Sequence, residues 1–176
     1  ATYFPWIIVQ HPLTGRQAEV PPSSHMAGIW ARTDTTRGVH KAPANENVRG
    51  AIGLTQALTR EEQGVINPHG VNAIRSFPGA GILVWGARTL DEEASPFRYL
   101  NVRRLFNMLK ESIRDNTSWI VFEPNDYMLW RSIVRDVSAF LTLVWRDGAL
   151  FGRTPQEAFF VKCDAETNPP DVIEAG

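Results

Sequence analysis

A tight turn between two β-rich segments is the strongest constraint on how this 176-residue chain folds. Residues 71–77 and 82–88 are rich in β-branched and aromatic side chains, and the segment Pro78–Gly81 lies between them. Glycine and proline adopt the backbone conformations that tight turns need, so this pattern predicts an antiparallel β-hairpin. A strand follows the glycines, and no Gly-Lys-Ser or Gly-Lys-Thr ends the segment, so a phosphate-binding loop is not favoured.

The rest of the chain predicts helices packed on a small sheet. Residues 11–22 are predicted to form a loop and residues 38–47 to be irregular, and residues 164–176 form a polar tail without a closing apolar element. We predict strands over Tyr3–Val9, Trp119–Phe122 and Phe159–Val161, and Pro5 favours an edge position for the first. Helices are predicted from Ser23 or Ser24 to about Thr36, from Thr59 to about Asn67, over Asn101–Arg114, from Asn125 or Asp126 to Gly148, and briefly after Thr154. The order β-α-α-β-β-α-β-α-β indicates an α+β (mixed α/β) single domain over residues 1–176.

Composition argues against several classes of protein. The formal net charge of -1 lacks the basic excess of a nucleic-acid binder. The single cysteine, Cys163, cannot form an internal disulfide. No apolar run reaches the roughly 20 residues that membrane insertion requires. The chain has no secretory signal and begins without methionine, so we expect a soluble piece of a longer protein.

No catalytic, cofactor-binding or metal site is predicted. The four histidines are far apart and lack the pairwise spacing of sequence-local metal ligands. Nothing near Cys163 would activate it as a nucleophile. Two carboxylate clusters lie at predicted helix starts, where the helix dipole and exposure already explain negative charge. Glu123 lies at a strand-to-helix corner, where it is a structural or an interaction residue. The residues considered are His11, His25, His40, His69, Glu61, Glu62, Asp91, Glu92, Glu93 and Glu123. The alternative is a small α/β enzyme or ligand-binding domain whose site is not visible in the sequence.

A collinear series of short segments resembles one protein family. Each segment is weakly informative alone, but their succession is similar to the core domain of contractile tail sheath proteins, found in bacteriophage tails and phage-tail-like injection systems. The segments are Tyr3–Trp6, Val20–Gly28, Ala31–Asp34, Arg37–Asn45, Asn67–Arg75, Val84–Leu90, Asn101–Phe106, Val121–Asp126, Leu129–Trp130 and Gly148–Asp164.

The resemblance implies a structural role without a cofactor. Sheath subunits form a helical sleeve around an inner tail tube protein, and its switch from an extended to a contracted lattice drives the tube through the target envelope. Further implied partners are baseplate and tail terminator proteins, and other sheath subunits linked by strand exchange. The implied location is the virion tail, assembled in the bacterial cytoplasm. By this resemblance the chain lacks the N-terminal arm, the outer domain and the C-terminal strands.

The amphipathic helix Asn101–Arg114 carries our candidate for the tube or subunit interface. Apolar residues recur at helical spacing from Val102 to Ile113, and basic residues lie between them. Complementary charge at such a face would set register between partners. The alternative is a solvated face that makes local ion pairs. The candidate interface residues are Arg103, Arg104, Lys110 and Arg114.

Overall fold

The structure, a computed structural model, describes residues 1–91 and 94–175. Glu92 and Glu93 of the predicted carboxylate cluster lie outside these residues. The chain comprises two compact units, Ala1–Phe106 and Asn107–Gly176. Helices and short strands are both present, which confirms the α+β class.

The first unit contains two small β-sheets. One has four strands in the order β1-β6-β7-β4, and the other has three antiparallel strands in the order β3-β2-β5. The edge strand β1 runs parallel to β6. The strands are β1 Thr2–Phe4, β2 Ile7–Gln10, β3 Gln17–Val20, β4 Glu46–Asn47, β5 Ala51–Leu54, β6 Val71–Phe77 and β7 Gly81–Trp85.

The predicted hairpin is confirmed as β6 and β7. The two strands pair antiparallel, from Ala73 opposite Trp85 to Phe77 opposite Gly81. Gly79 and Gly81 both have positive φ, at 77° and 84°, a conformation that residues with a Cβ rarely adopt. The second strand ends at Trp85, three residues earlier than predicted.

The predictions about the first strands need correction. The predicted strand Tyr3–Val9 is two strands, β1 and β2, which belong to different sheets and are separated at the cis Phe4–Pro5 bond. The edge position that Pro5 favoured holds for β1, whereas β2 is central in its sheet. The predicted loop 11–22 contains β3, whose half-buried residues alternate with exposed ones because only one face is covered. Strand β5 was also missed, since its four residues are too few to establish a period.

The α-helices within the described residues agree better with the sequence. Thr59 and Glu62 form the predicted capping box of α2, and Asp126 caps α4 by accepting a bond from the Leu129 amide at 2.9 Å. Two predicted caps were wrong. Ser23 and Ser24 are the first two residues of α1, and the position before the helix is Pro22, which has no capping side chain. Thr154 precedes α5 but makes no capping side-chain bond. The polar tail contains α6. The helices are α1 Ser23–Arg37, α2 Arg60–Ile66, α3 Leu100–Asn116, α4 Tyr127–Arg146, α5 Pro155–Ala158 and α6 Pro170–Ala175.

Two further predicted strands are absent from the second unit. Residues 118–122 form a 3-10 helix, and residues 159–161 have no regular structure. An aromatic and β-branched segment becomes a strand only when another strand pairs with it, and residues 107–175 contain none. Phe122 and Phe160 are instead 96% and 88% exposed.

The core of the first unit lies where α1 packs against strands from both sheets. Met26 and Ile29 on α1 are buried together with Ile7 of β2. Ile74 of β6, Val84 of β7 and Val48 complete the cluster. Thr33 is buried on the same face of α1, one turn beyond Ile29, and its hydroxyl donates to the Ile29 carbonyl at 2.9 Å. This spacing turns one face of the helix towards the core.

A buried asparagine fixes the edge of the four-stranded sheet. Asn72 on β6 is fully buried, and its Nδ2 donates to the carbonyl oxygens of Thr2 at 3.1 Å and Arg88 at 2.9 Å. Its Oδ1 accepts from the Arg88 amide at 2.7 Å. A Cβ on Gly86 would lie 2.8 Å from Asn72 Oδ1, so this glycine makes room for the amide. The side chain therefore holds β1 and the segment after β7 to opposite sides of β6.

Replacing Gly70 by alanine is expected to destabilise the protein by at least about 2 kcal/mol. Gly70 has a φ of +79°, and an added Cβ would lie 2.3 Å from the Thr89 carbonyl oxygen, so the backbone would have to move. The matched control is Gly64→Ala in α2, where nothing lies within 4 Å of the added Cβ. There we expect a gain of up to about 1 kcal/mol. Urea denaturation of both variants measures the difference, and equal stabilities would contradict the described packing around Gly70.

Candidate interaction surface

Arg104, one of the four predicted interface residues, is part of the fold of the first unit. Its guanidinium donates two bonds to the Asp34 carboxylate on α1, at 2.8 and 2.5 Å. The guanidinium carbon lies 4.8 Å from the centre of the Trp30 ring. Its side chain is only 19% exposed. A bidentate, stacked arginine with so little exposed surface links α3 to α1 and presents little charge to a partner.

The same cluster extends to the first strand. Trp30 Nε1 donates to the Tyr3 hydroxyl oxygen at 3.1 Å. Burial raises the pKa of Tyr3, while the bond from Trp30 and the charge of Arg104 act in the opposite direction. The hydroxyl therefore stays protonated at neutral pH and remains available as an acceptor for Trp30. Strand β1 and helices α1 and α3 are joined through one polar and aromatic cluster.

Arg103 is more accessible than Arg104. Its guanidinium carbon lies 4.1 Å from the centre of the Phe97 ring, and its Nη2 lies 3.8 Å from Asp91 Oδ2. The side chain is 41% exposed. Helical spacing predicted that at least one of these two arginines would point outward, and Arg103 is the more outward of the two.

Lys110 and Arg114 lie on the part of α3 that belongs to the second unit, and both are exposed. Arg114 makes ion pairs with Glu111 and, at 3.0 Å, with Asp115. Its hydrogen bond to Asp115 and the nearby carboxylate charges raise the pKa of Arg114. Within residues 107–175, Lys110 makes no ion pair. Arg114 therefore makes local ion pairs with residues of its own helix. A role for Lys110 and Arg114 at an interface stays a prediction.

A groove along α4 in the second unit was not predicted from the sequence. It has a volume of about 550 Å³, and Trp130, Val134 and Cys163 are among the residues that line it. Arg131 and Arg135, one helical turn apart, also line it. The sequence feature that could have indicated this groove is the alternation of arginine with apolar residues along one side of α4. The lone cysteine, predicted to be an inert buried residue, is half-buried in this groove.

The charge along this groove is mainly positive. The guanidinium carbon of Arg131 lies 5.8 Å from the centre of the Tyr127 ring, and Arg131 makes no ion pair with any described residue. Arg135 Nε donates to Asp136 Oδ1 at 2.7 Å, a bond that raises the pKa of Arg135 and lowers the pKa of Asp136. Asp164 also lines the groove, and its Oδ1 accepts from the amides of Glu166 and Thr167. An apolar floor between two arginines suits a partner with acidic and apolar groups.

The other residues considered from the sequence, as far as the structure describes them, form no metal-binding group. Among residues 1–91 and 94–175, no group of three or more histidine, cysteine, aspartate or glutamate side chains is placed to hold a metal ion. Glu123 is exposed at the end of the 3-10 helix. None of the helices within the described part of the chain is both long and apolar enough to cross a bilayer.

Comparison with known protein families accounts for the chain from end to end. Residues 1–90 match the phage tail sheath protein central domain, and residues 92–175 match the phage tail sheath C-terminal domain. The chain belongs to the phage tail sheath family. The resemblance noted in the sequence is thereby confirmed.

Individual relatives of this sheath chain come from several contractile systems. The tail sheath protein of Vibrio phage KVP40 is 33% identical over an alignment that covers 90% of this chain and 23% of that relative. A chain in the six-fold symmetrised baseplate of the anti-feeding prophage has a TM-score of 0.92 and 36% identity, with 100% of this chain and 48% of that chain covered. The contracted sheath complex of the extracellular contractile injection system PVC gives a TM-score of 0.92 and 38% identity, with 100% and 49% covered. The chain thus spans about a quarter of the phage relative and half of the injection-system chains.

Arg104→Ala is expected to destabilise the sheath chain by about 2 kcal/mol, because it leaves the largely buried Asp34 carboxylate without its partner. Arg114→Ala, on the same helix but with a side chain that is 69% exposed, is the matched control and should change stability by at most about 0.5 kcal/mol. Urea denaturation with the Asp34→Asn variant completes a double-mutant cycle. A coupling energy near zero would contradict the role assigned to the pair.

Proposed function

We propose that this chain is part of a subunit of a contractile sheath that surrounds the inner tube of a phage tail or a phage-tail-like injection apparatus. The subunits assemble helically in a metastable extended state, and the sheath contracts to drive the tube through the target envelope. The chain corresponds to the core region of that subunit, so the N-terminal arm, the outer domain and the C-terminal strands are supplied elsewhere in the complete protein.

The observation that carries this proposal is that all of this chain matches about half of the length of sheath chains in assembled machines. Chains in the PVC sheath complex and in the helical sheath of the anti-feeding prophage, both contracted, match all of this chain at TM-scores of 0.92 and 0.90. Because the whole chain superposes on sheath subunits within their lattice, we infer that it adopts the subunit fold without further rearrangement of its elements.

The proposed action is mechanical and requires no catalysis or cofactor. Sheath proteins store energy in subunit contacts, and a lattice switch releases it by exchanging one set of contacts for another. The proposed partners are other copies of the subunit, linked by strand exchange, the inner tube protein, and the baseplate and tail terminator proteins. The proposed location is the tail, after assembly in the bacterial cytoplasm.

Electron microscopy of the complete subunit, with and without its tube protein, tests the proposal. We expect sleeves of sheath width that enclose the tube, and contracted sleeves after mild denaturant or acid treatment. The isolated 176-residue chain is the control and should remain mainly monomeric in dilute solution, because the proposed linking strands are missing. Failure of the complete subunit to form sleeves in either condition would contradict the proposal.

Within this function, Lys110 and Arg114 are the proposed contact with the tube, and Arg103 is a further candidate. The Lys110→Glu and Arg114→Glu double variant should keep the thermal stability of the parent, because both side chains are exposed. It should lower the yield of tube-filled sleeves at least about tenfold, since like charges facing across an interface cost several kcal/mol at each subunit. The control is Glu111→Gln with Asp115→Asn, which removes charge from the same helix without reversing its sign. Unchanged sleeve yield in the double variant would exclude this face as the tube contact.

A further inference from the structure

We propose that the groove along α4 binds the segment 171–174 of a second copy of this chain. This inference rests on the proposed function, because it assigns one contact between neighbouring subunits of the helical assembly.

The groove sets the chemistry of its occupant. Its floor is formed by Trp130, Val134 and Cys163, which favour aliphatic side chains. Arg131 and Arg135 lie one turn apart along it, and Arg131 has no carboxylate partner among the described residues. Carboxylates one turn apart on a partner would pair with Arg131 and add a second partner to Arg135, whose Nε already donates to Asp136. The fitting occupant is therefore a short segment with two acidic residues and aliphatic residues between them.

The tail of this chain has that composition. Asp171-Val172-Ile173-Glu174 lies in α6, and all four residues are exposed. Asp171 and Glu174 are three residues apart, so the helix places both carboxylates on one side, at a spacing similar to that of the two arginines. Neither carboxylate makes an ion pair with a described residue. Two exposed aliphatic side chains and two unpaired carboxylates thus match the groove in polarity and in spacing.

A second copy, and not the chain's own tail, is the inferred occupant. Among the described residues, those that line the groove extend no further along the tail than Ala165, so segment 171–174 lies outside it in the same chain. Segment and groove are different surfaces of one molecule. A contact between two different surfaces repeats head to tail and builds an open helix when its rotation does not close. The relatives solved in the contracted state include a helical sheath, which requires contacts of this kind.

Cys163 supplies a direct probe, because it is the only cysteine and lines the groove. The measurement is the rate at which a maleimide labels Cys163 as the concentration of the 176-residue protein rises into the millimolar range. Two double variants each disrupt one side of the contact. The groove variant carries Arg131→Glu and Arg135→Glu, and the tail variant carries Asp171→Arg and Glu174→Arg. The control variant, Arg146→Glu with Arg153→Glu, makes the same change of charge on exposed arginines that do not line the groove. Each rate is compared with that of the same variant at low concentration, and circular dichroism melts check folding.

We expect labelling of the parent and of the control variant to slow with concentration, and labelling of each single-side variant to remain constant. In a mixture of the two single-side variants, the groove variant supplies an intact tail and the tail variant an intact groove. Cys163 of the tail variant should therefore be protected from labelling, and mass spectrometry identifies which copy is labelled. Association in each single-side variant should be at least about tenfold weaker than in the parent. Protection in the tail variant alone, protection independent of concentration, or no protection in the mixture would each overturn the proposal.

The same variants in the complete subunit separate this inference from the proposed function. If both build sleeves at the parent yield, the groove contact is wrong and the sheath function stands. If the parent builds no sleeves while Cys163 is still protected at high concentration, the contact stands and the sheath function is wrong.

Discussion

The buried amide of Asn72 is the constraint on which the first unit depends. A fully buried amide without partners would cost several kcal/mol, so the backbone around it must present hydrogen-bonding groups at fixed places. Those groups come from Thr2 on one side and Arg88 on the other, which are far apart in sequence. The close approach of Gly86 follows from the same requirement, because a larger residue would push the amide away from its partners. A single polar side chain therefore determines where β1 joins the sheet and how the chain leaves β7.

Once β1 is fixed, the cluster of Tyr3, Trp30, Arg104 and Asp34 follows. Tyr3 pairs with Asn72 in the register of β1 and β6, so the position of its hydroxyl is set by the sheet. Trp30 donates to that hydroxyl, and Arg104 stacks on Trp30 while it binds Asp34. The start of α3 is thus tied to the sheet through α1. Basic residues adjacent on one helix consequently differ in role, since Arg104 supports the fold and Arg103 retains an accessible charge.

Local signals predicted several parts of this chain that depend on neighbouring residues, although the caps at the start of α1 and at Thr154 were wrong. The hairpin turn, the capping box at Thr59 and the cap at Asp126 are set within a few residues, and each was confirmed. Strands that depend on distant pairing were not predicted reliably. Strand β3 was missed, and residues 118–122 were assigned a strand although no partner exists among residues 107–175. The α4 groove was missed for the same reason, since it needs Cys163 beside Trp130, and sequence distance hides that proximity.

Exposed apolar side chains in the second unit bear on how such a chain associates. Val144 is its only buried hydrophobic residue within 107–175, whereas Phe122, Phe151 and Phe160 are almost fully exposed. Monomeric proteins rarely leave so many large aromatic residues in water, because covering each one would stabilise the folded state by up to about 3 kcal/mol. The packing of residues 107–175 on one another therefore leaves large apolar side chains that further contacts could cover. Charged groups beside these apolar surfaces, such as Arg131, then restrict which partners fit, because a mismatched charge next to an apolar contact loses its hydration without compensation.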